Sequence, residues 1–169
     1  GYLVKGSRSN VKHRQIIALD IDFGDMGIWE SWELLYGNAS CIYSTHKHEA
    51  SNQRLMMIIP LDRKVSVEEY QAVARRVAFN LGIDAFDDTT YQPQRLMYWP
   101  STSNDGDYVF KFIDSTFISA DEVLDEYEDW RDIASWPTSS RSTEVMKKEI
   151  RKQKDPLEKP GVIGAFCRT

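Results

Sequence analysis

Residues 16–23 read Ile16-Ile17-Ala18-Leu19-Asp20-Ile21-Asp22-Phe23, an apolar run in which two carboxylates stand two positions apart. In an extended strand successive side chains alternate between faces. Ile17, Leu19, Ile21 and Phe23 are therefore expected to point into a core, with Asp20 and Asp22 side by side on the other face. Adjacent like charges repel, and a divalent cation with oxygen ligands offsets that cost directly. Enzymes of phosphoryl transfer hold metal ions with such pairs. A strand end whose two aspartates are simply hydrated has the same spelling, and the segment by itself leaves both readings open.

Outward from this strand, expected over residues 15–23, the pattern alternates. A short helix follows with Trp29, Trp32, Leu35 and Tyr36 at helical spacing and Gly37 as its stop. A second strand is expected over Cys41–His46, and a third from Arg54 to Ile59, closed by Pro60. Ser66 and Glu69 spell a capping box for the clearest helix, whose stripe is Val67, Tyr70, Val73, Ala74, Val77 and Leu81, ended by Gly82. A loop with Asp84, Asp87 and Asp88 leads to an expected fourth strand, Arg95–Trp99, and the turn Asn104-Asp105-Gly106-Asp107 to a fifth, Tyr108–Ile113. A second capping box, Ser119 to Glu122, opens an acidic helix, and a basic helix of about ten residues is expected after the Ser/Thr stretch 138–143. Strands interleaved with helices, then helices alone, predict an α+β fold with one sheet face covered and the other carrying the aspartates.

The chain has 169 residues, 41% of them hydrophobic and five of them tryptophan, enough for one packed domain with a small appendage. No apolar run approaches bilayer-spanning length and nothing resembles a signal peptide. The two cysteines, Cys41 and Cys167, form no zinc pattern and suit a reducing, cytosolic setting. A start at Gly1 and an end inside an apolar stretch suggest a piece of a longer protein. The net charge of -5 gives no whole-domain attraction for nucleic acid, although Lys5–Arg14 and Lys147–Lys154 are locally basic.

Three further groups bear on chemistry. Ser44, His46 and His48 share the period-2 face of the second strand, so a hydroxyl and two imidazoles are expected near the aspartates, where an imidazole donates to a phosphate oxygen or ligates a metal. Arg54 and Arg95 each open an apolar strand and suit phosphate clamping, or equally a salt bridge to one of the many carboxylates. Phe86-Asp87-Asp88 offers a third carboxylate of the sort a two-metal site needs, or an ordinary turn-forming pair.

A hydrophobic strand ending in Asp20-Ile21-Asp22, then Ser44-Thr45-His46, then Phe86-Asp87 resembles the three ordered motifs of archaeo-eukaryotic-type primases. The wording is most similar to the primase-polymerase domains of virulence-associated protein E-like replication proteins of phages and genomic islands. The similar stretches are Tyr43–His48, Arg54–Leu61, Phe86–Tyr91 and Arg95–Ser101, and Lys159–Arg168 resembles the bridge into their helicase domain. The resemblance implies an RRM-like catalytic core over residues 1–135 with flanking helices. Residues 136–169 would be a helix and linker toward a C-terminal helicase domain. It further implies Mg²⁺ or Mn²⁺ on Asp20, Asp22 and Asp87 (or Asp88 in place of Asp87), and nucleotide contacts from Ser44, His46, His48, Arg54 and Arg95. The implied substrates are NTPs or dNTPs and a single-stranded DNA template or primer, inside a bacterial host cell and without a membrane. Two other classes stay in view. One is a His-x-His replication or relaxase nuclease, against which Lys47 between the histidines counts. The other is a non-catalytic module that stacks single-stranded nucleic acid on Tyr and Trp.

Overall fold

The computed structural model describes residues 11–104 and 106–144. The chain divides into two compact units, Gly1–Pro137 and Thr138–Thr169. In the first, four antiparallel strands form one sheet in the order β1-β3-β2-β4: β1 Arg14–Ile21, β2 Ser40–Ser44, β3 Leu55–Val65 and β4 Phe110–Ile113. Helices α1 (Gly27–Leu35), α2 (Val67–Leu81) and α3 (Ala120–Asp125) pack on one face. Ile17, Leu19 and Ile21 of β1 are fully buried beneath them, together with Trp29, Trp32, Tyr70 and Val73. This is the expected α+β core, with β1-α1-β2-β3-α2 in the order of an RRM-like β-α-β-β-α-β unit. The sixth element is reduced to one antiparallel bridge, Phe86 to Ile21, on the free edge of β1. No helix among the described residues is long and apolar enough to cross a membrane.

The open face is read directly from register. Asp20, Met56, Tyr43 and Phe110 form one cross-strand row, and Ala18, Ile58, Cys41 and Phe112 the next. Ala18, Tyr43 and Met56 make a small second apolar cluster there, apart from the main core.

The capping box on α2 forms as expected: Ser66 Oγ accepts from Glu69 N at 3.2 Å, and Glu69 returns a carboxylate to Ser66 N at 2.7 Å. Gly37 and Gly82 end α1 and α2 with φ of 61° and 98°, a region that suits glycine. Ser119 caps α3 through Glu122 N at 3.3 Å, but α3 runs only six residues.

Several expected boundaries are corrected. β1 stops at Ile21, because the chain bends at Asp22 and Phe23, and Phe23 is exposed rather than in the core. Leu35 is likewise exposed. β2 ends at Ser44, where His48 N bonds Thr45 O at 2.9 Å and closes a turn over 45–48. β3 does not stop at Pro60. Pro60 lies opposite Ile16 beside a register irregularity in β1 and beyond the last residue pairing with β2, so its missing N–H breaks no continuous ladder.

Residues 95–99 are not a strand. Both edges they might join are taken, by β4 on β2 and by residues 86–90 on β1. The segment instead crosses the open face, held by Arg14 Nη1 to Pro93 O at 2.8 Å and by Tyr43 Oη to Tyr98 O at 2.9 Å. The fifth expected strand is β4, shortened to Phe110–Ile113.

In the second unit the described residues begin a helical turn in which Ser142 N bonds Ser139 Oγ at 3.1 Å. The basic helix, the linker and the stretch resembling a bridge to a helicase lie outside the described residues.

Candidate metal and nucleotide site

The end of β1 brings Asp20 onto the open face, and the bend after Ile21 carries Asp22 to the same side. The third carboxylate arrives by backbone pairing. Phe23 N bonds Ala85 O at 3.1 Å, Phe86 bridges Ile21, and Asp87 N bonds Asp20 O at 2.9 Å, so residues 85–87 run antiparallel to the strand end. Oxygen atoms of Asp20, Asp22 and Asp87 consequently lie within 4.8 Å of one another, whereas Asp88 is not of this group. Of the two neighbouring aspartates in the loop, Asp87 is thus the one grouped with Asp20 and Asp22.

The carboxylates are held in place. Asp87 accepts from Thr89 N at 3.1 Å and Thr89 Oγ1 at 2.6 Å, and Arg95 reaches it at 3.3 Å. Arg54 pairs with Asp22 at 2.5 Å. Thr90, missed in the sequence, carries the strand end itself: its buried hydroxyl donates to Ala18 O at 2.7 Å and accepts from Asp20 N at 3.0 Å. One side chain thus takes the place of a neighbouring strand's peptide on β1's free edge. No periodicity marks such a residue.

Burial pushes the Asp20 carboxyl up to about 6, aided by the charges of Asp22 and Asp87 and opposed by Arg95 and Arg54. Three carboxylates converging as hard oxygen donors are the ligand chemistry of Mg²⁺ or Mn²⁺. The set fits such an ion.

The rest of the expected site divides. A cavity of about 420 Å³ is lined by Asp20, Asp22, His46, Lys47, Arg54 and Tyr98, among others. His46 and Arg54 therefore join the aspartates, and Lys47 with them, although only the first two were expected. Arg95 does not open a strand but still meets Asp87. Ser44 is a correction. It shares the helix-covered face with Ile42, is fully buried, and its Oγ accepts from Val109 N at 2.9 Å. His48 is a second correction, because the turn at 45–48 breaks the alternation. It is buried, and its Nδ1 accepts from Arg54 N at 3.2 Å, while Thr45 N bonds Arg54 O at 2.9 Å. His48 acts on the backbone that presents Arg54 and does not line the cavity.

A stability effect follows from Asp20. Its carboxyl in the folded chain titrates above the ordinary value of 3.8, so the folded state retains a proton that the unfolded chain releases between about pH 4 and 6. The burial is harmless below that window and destabilises above it. Asp20→Asn is expected to stabilise the metal-free chain by about 1–2 kcal/mol at pH 7.5, after allowance for solvent screening. The gain should vanish near pH 4. Urea melts of both chains at the two pH values measure it; an equal gain at both would show that proton linkage is not its source.

Residues 1–139 match the family described as VapE N-terminal domain. Among solved structures, the fold is similar to the AEP domain of the cyanophage S-2L primase-polymerase (PrimPol), with a TM-score of 0.51 and 17% identity. That alignment covers 70% of this chain and 63% of the phage chain, so this chain spans under two thirds of the phage domain's length. No curated protein matches the chain. An antiparallel sheet with its helices on one face, a primase-polymerase-like fold and a family match over most of its length lead to one conclusion: the chain belongs to the VapE N-terminal domain family.

Proposed function

We propose that the chain is a divalent-metal-dependent nucleotidyltransferase, a primase-polymerase domain that adds nucleotides from NTPs or dNTPs to a primer or an initiating nucleotide on single-stranded DNA. The observation that carries this is the Asp20, Asp22 and Asp87 cluster at the wall of a nucleotide-sized cavity also lined by His46, Lys47 and Arg54. The carboxylates would hold Mg²⁺ or Mn²⁺, which when bound lowers the pKa of a 3′-hydroxyl and offsets triphosphate charge.

The chain's own residues supply placement. Arg54 and Arg95, paired with Asp22 and Asp87, are positioned to exchange those partners for phosphate oxygens, and His46 and Lys47 add donors on the cavity's rim. Thr90 keeps the Asp20 backbone from shifting, and His48 does so for Arg54. Catalysis on these terms is positioning and charge stabilisation, with no protein nucleophile. A His-x-His nuclease centre is disfavoured by the two imidazoles themselves: His46 is exposed at the cavity and His48 is buried on the Arg54 amide.

Within the same proposal, residues 1–135 form the catalytic core and residues 136–169 connect to a helicase domain, in a replication protein that works inside a bacterial host. The test is nucleotide binding with and without Mg²⁺ or Mn²⁺, paired with extension of a primed DNA template. Metal-dependent binding that Asp20→Ala abolishes, together with extension, is expected. Binding indifferent to metal and to Asp20→Ala would overturn the proposal.

A further inference from the structure

The cavity beside the carboxylates has two kinds of wall. Asp20, Asp22, His46, Lys47 and Arg54 give it charge, while Met56 and Tyr98 give it apolar surface. The charged residues suit the metal and the phosphates of a nucleoside triphosphate, and they leave its base without a partner. Tyr98 brings the one phenol ring among the lining residues. It is 73% exposed, so the ring contributes little burial to the fold and has surface to offer a ligand.

The backbone that carries this ring is nevertheless fixed. Tyr43, buried on the open face, donates its hydroxyl to the Tyr98 carbonyl at 2.9 Å. Tyr43 lies across from Met56, and Met56 across from Asp20. Two strand spacings therefore separate the Asp20 strand from the strand that holds Tyr98, about 10 Å in all. The segment itself has a similar span. Arg95 meets Asp87 at its start, and Tyr98 follows three residues later, at most about 11 Å along the chain. A nucleotide bridges a gap of this size, with its phosphates toward the carboxylates and its base toward Tyr98. One short segment thus brings a cation to the phosphate end and a ring to the base end.

We propose that the Tyr98 ring stacks on the base of the nucleoside triphosphate whose phosphates meet Arg54 and Arg95. This rests on the nucleotide reading of the cavity and adds to it the contact made by the base. Stacking uses the π face that every base has, so Tyr98 holds the nucleotide without selecting among bases.

The test is isothermal titration calorimetry of the 169-residue chain in Mg²⁺ with two probes. One is dATP; the other is 2-deoxyribose 5-triphosphate, which keeps the sugar and phosphates and lacks the base. The native chain is expected to bind dATP more tightly. Tyr98→Ala is expected to weaken dATP about tenfold and to leave the abasic probe unchanged. The replaced side chain is exposed and the carbonyl is retained, so the tie to Tyr43 persists. Tyr98→Trp should bind dATP as the native chain does, and Tyr98→Leu, apolar but without a π face, as the Ala variant does. Equal native binding of the two probes overturns the proposal, as does an Ala or Leu variant that binds dATP like the native chain. So does equal loss of both probes in Tyr98→Ala, which marks a shifted segment rather than a lost stack. The reading beneath it fails separately: a native chain that binds neither probe, nor ATP, has no nucleotide site. A chain that stacks dATP on Tyr98 yet extends no primer keeps this proposal and loses nucleotidyl transfer.

Discussion

Asp22→Asn is expected to lower the rate of nucleotide addition on a primed template on the order of 10²- to 10³-fold while leaving the melting temperature nearly unchanged. The substitution keeps shape and removes one negative charge from a set of three whose oxygens lie within 4.8 Å. A carboxylate that neutralises a bound cation contributes several kcal/mol to charge stabilisation in the transition state, and each 1.36 kcal/mol is a factor of ten in rate. The folded chain without metal loses little, because Asp22's ion-pair partner Arg54 is itself about a third exposed and such pairs contribute modestly. Single-turnover extension and a thermal melt on the same preparation measure both halves. Near-normal extension by Asp22→Asn would remove Asp22 from the machinery.

The same cluster shows a conflict between stability and proposed function. Asp20 is destabilising as a buried anion near two others, so its amide should make a firmer fold and an inactive protein. Groups placed for charge they are to receive later commonly carry this cost.

How far the site was legible follows from which interactions are local. Alternation along Ile16–Ile21 placed Asp20 on the open face, because a strand's faces depend only on its own backbone. The Ser66–Glu69 box and Gly82 framed α2 for a similar reason, each contact lying within a turn. Alternation failed where it was carried past the strand's end. Ser44 still obeys it but on the helix-covered face, and His48 lies beyond a turn that Thr45 closes. The apolar Leu96–Trp99 stretch has strand-like residues, yet a strand needs a free edge, and Thr90, Phe86 and β4 had occupied those edges. Asp87 was nameable only as one of two neighbours, since its distinction from Asp88 comes from a backbone bond to Asp20 across 67 positions of chain. The motif resemblance supplied what alternation lacked there, by ordering distant segments that the fold then brings together.

Thr90→Val is the sharpest test of that long-range construction. Valine is close to threonine in volume, so packing is nearly conserved and the hydroxyl alone is removed. Two backbone groups then lose their partner at once: the Ala18 carbonyl, bonded at 2.7 Å, and the Asp20 N–H, bonded at 3.0 Å. Orphaning the buried Ala18 carbonyl costs about 1–3 kcal/mol and the part-buried Asp20 N–H about 1 kcal/mol, so about 2–4 kcal/mol of stability is expected to go. That corresponds to a fall in melting temperature of roughly 5–15 °C for a chain of this size. Thr90→Ser keeps both hydrogen bonds and should retain most of the stability, and with it nucleotide addition. Extension by Thr90→Val, measured well below its melting temperature, should drop even in the folded fraction, because the strand end presenting Asp20 is no longer clamped. If Val and Ser variants melt together, the hydroxyl does not carry the strand edge, and the position of Asp20 must be set by Phe86 and Asp87 alone.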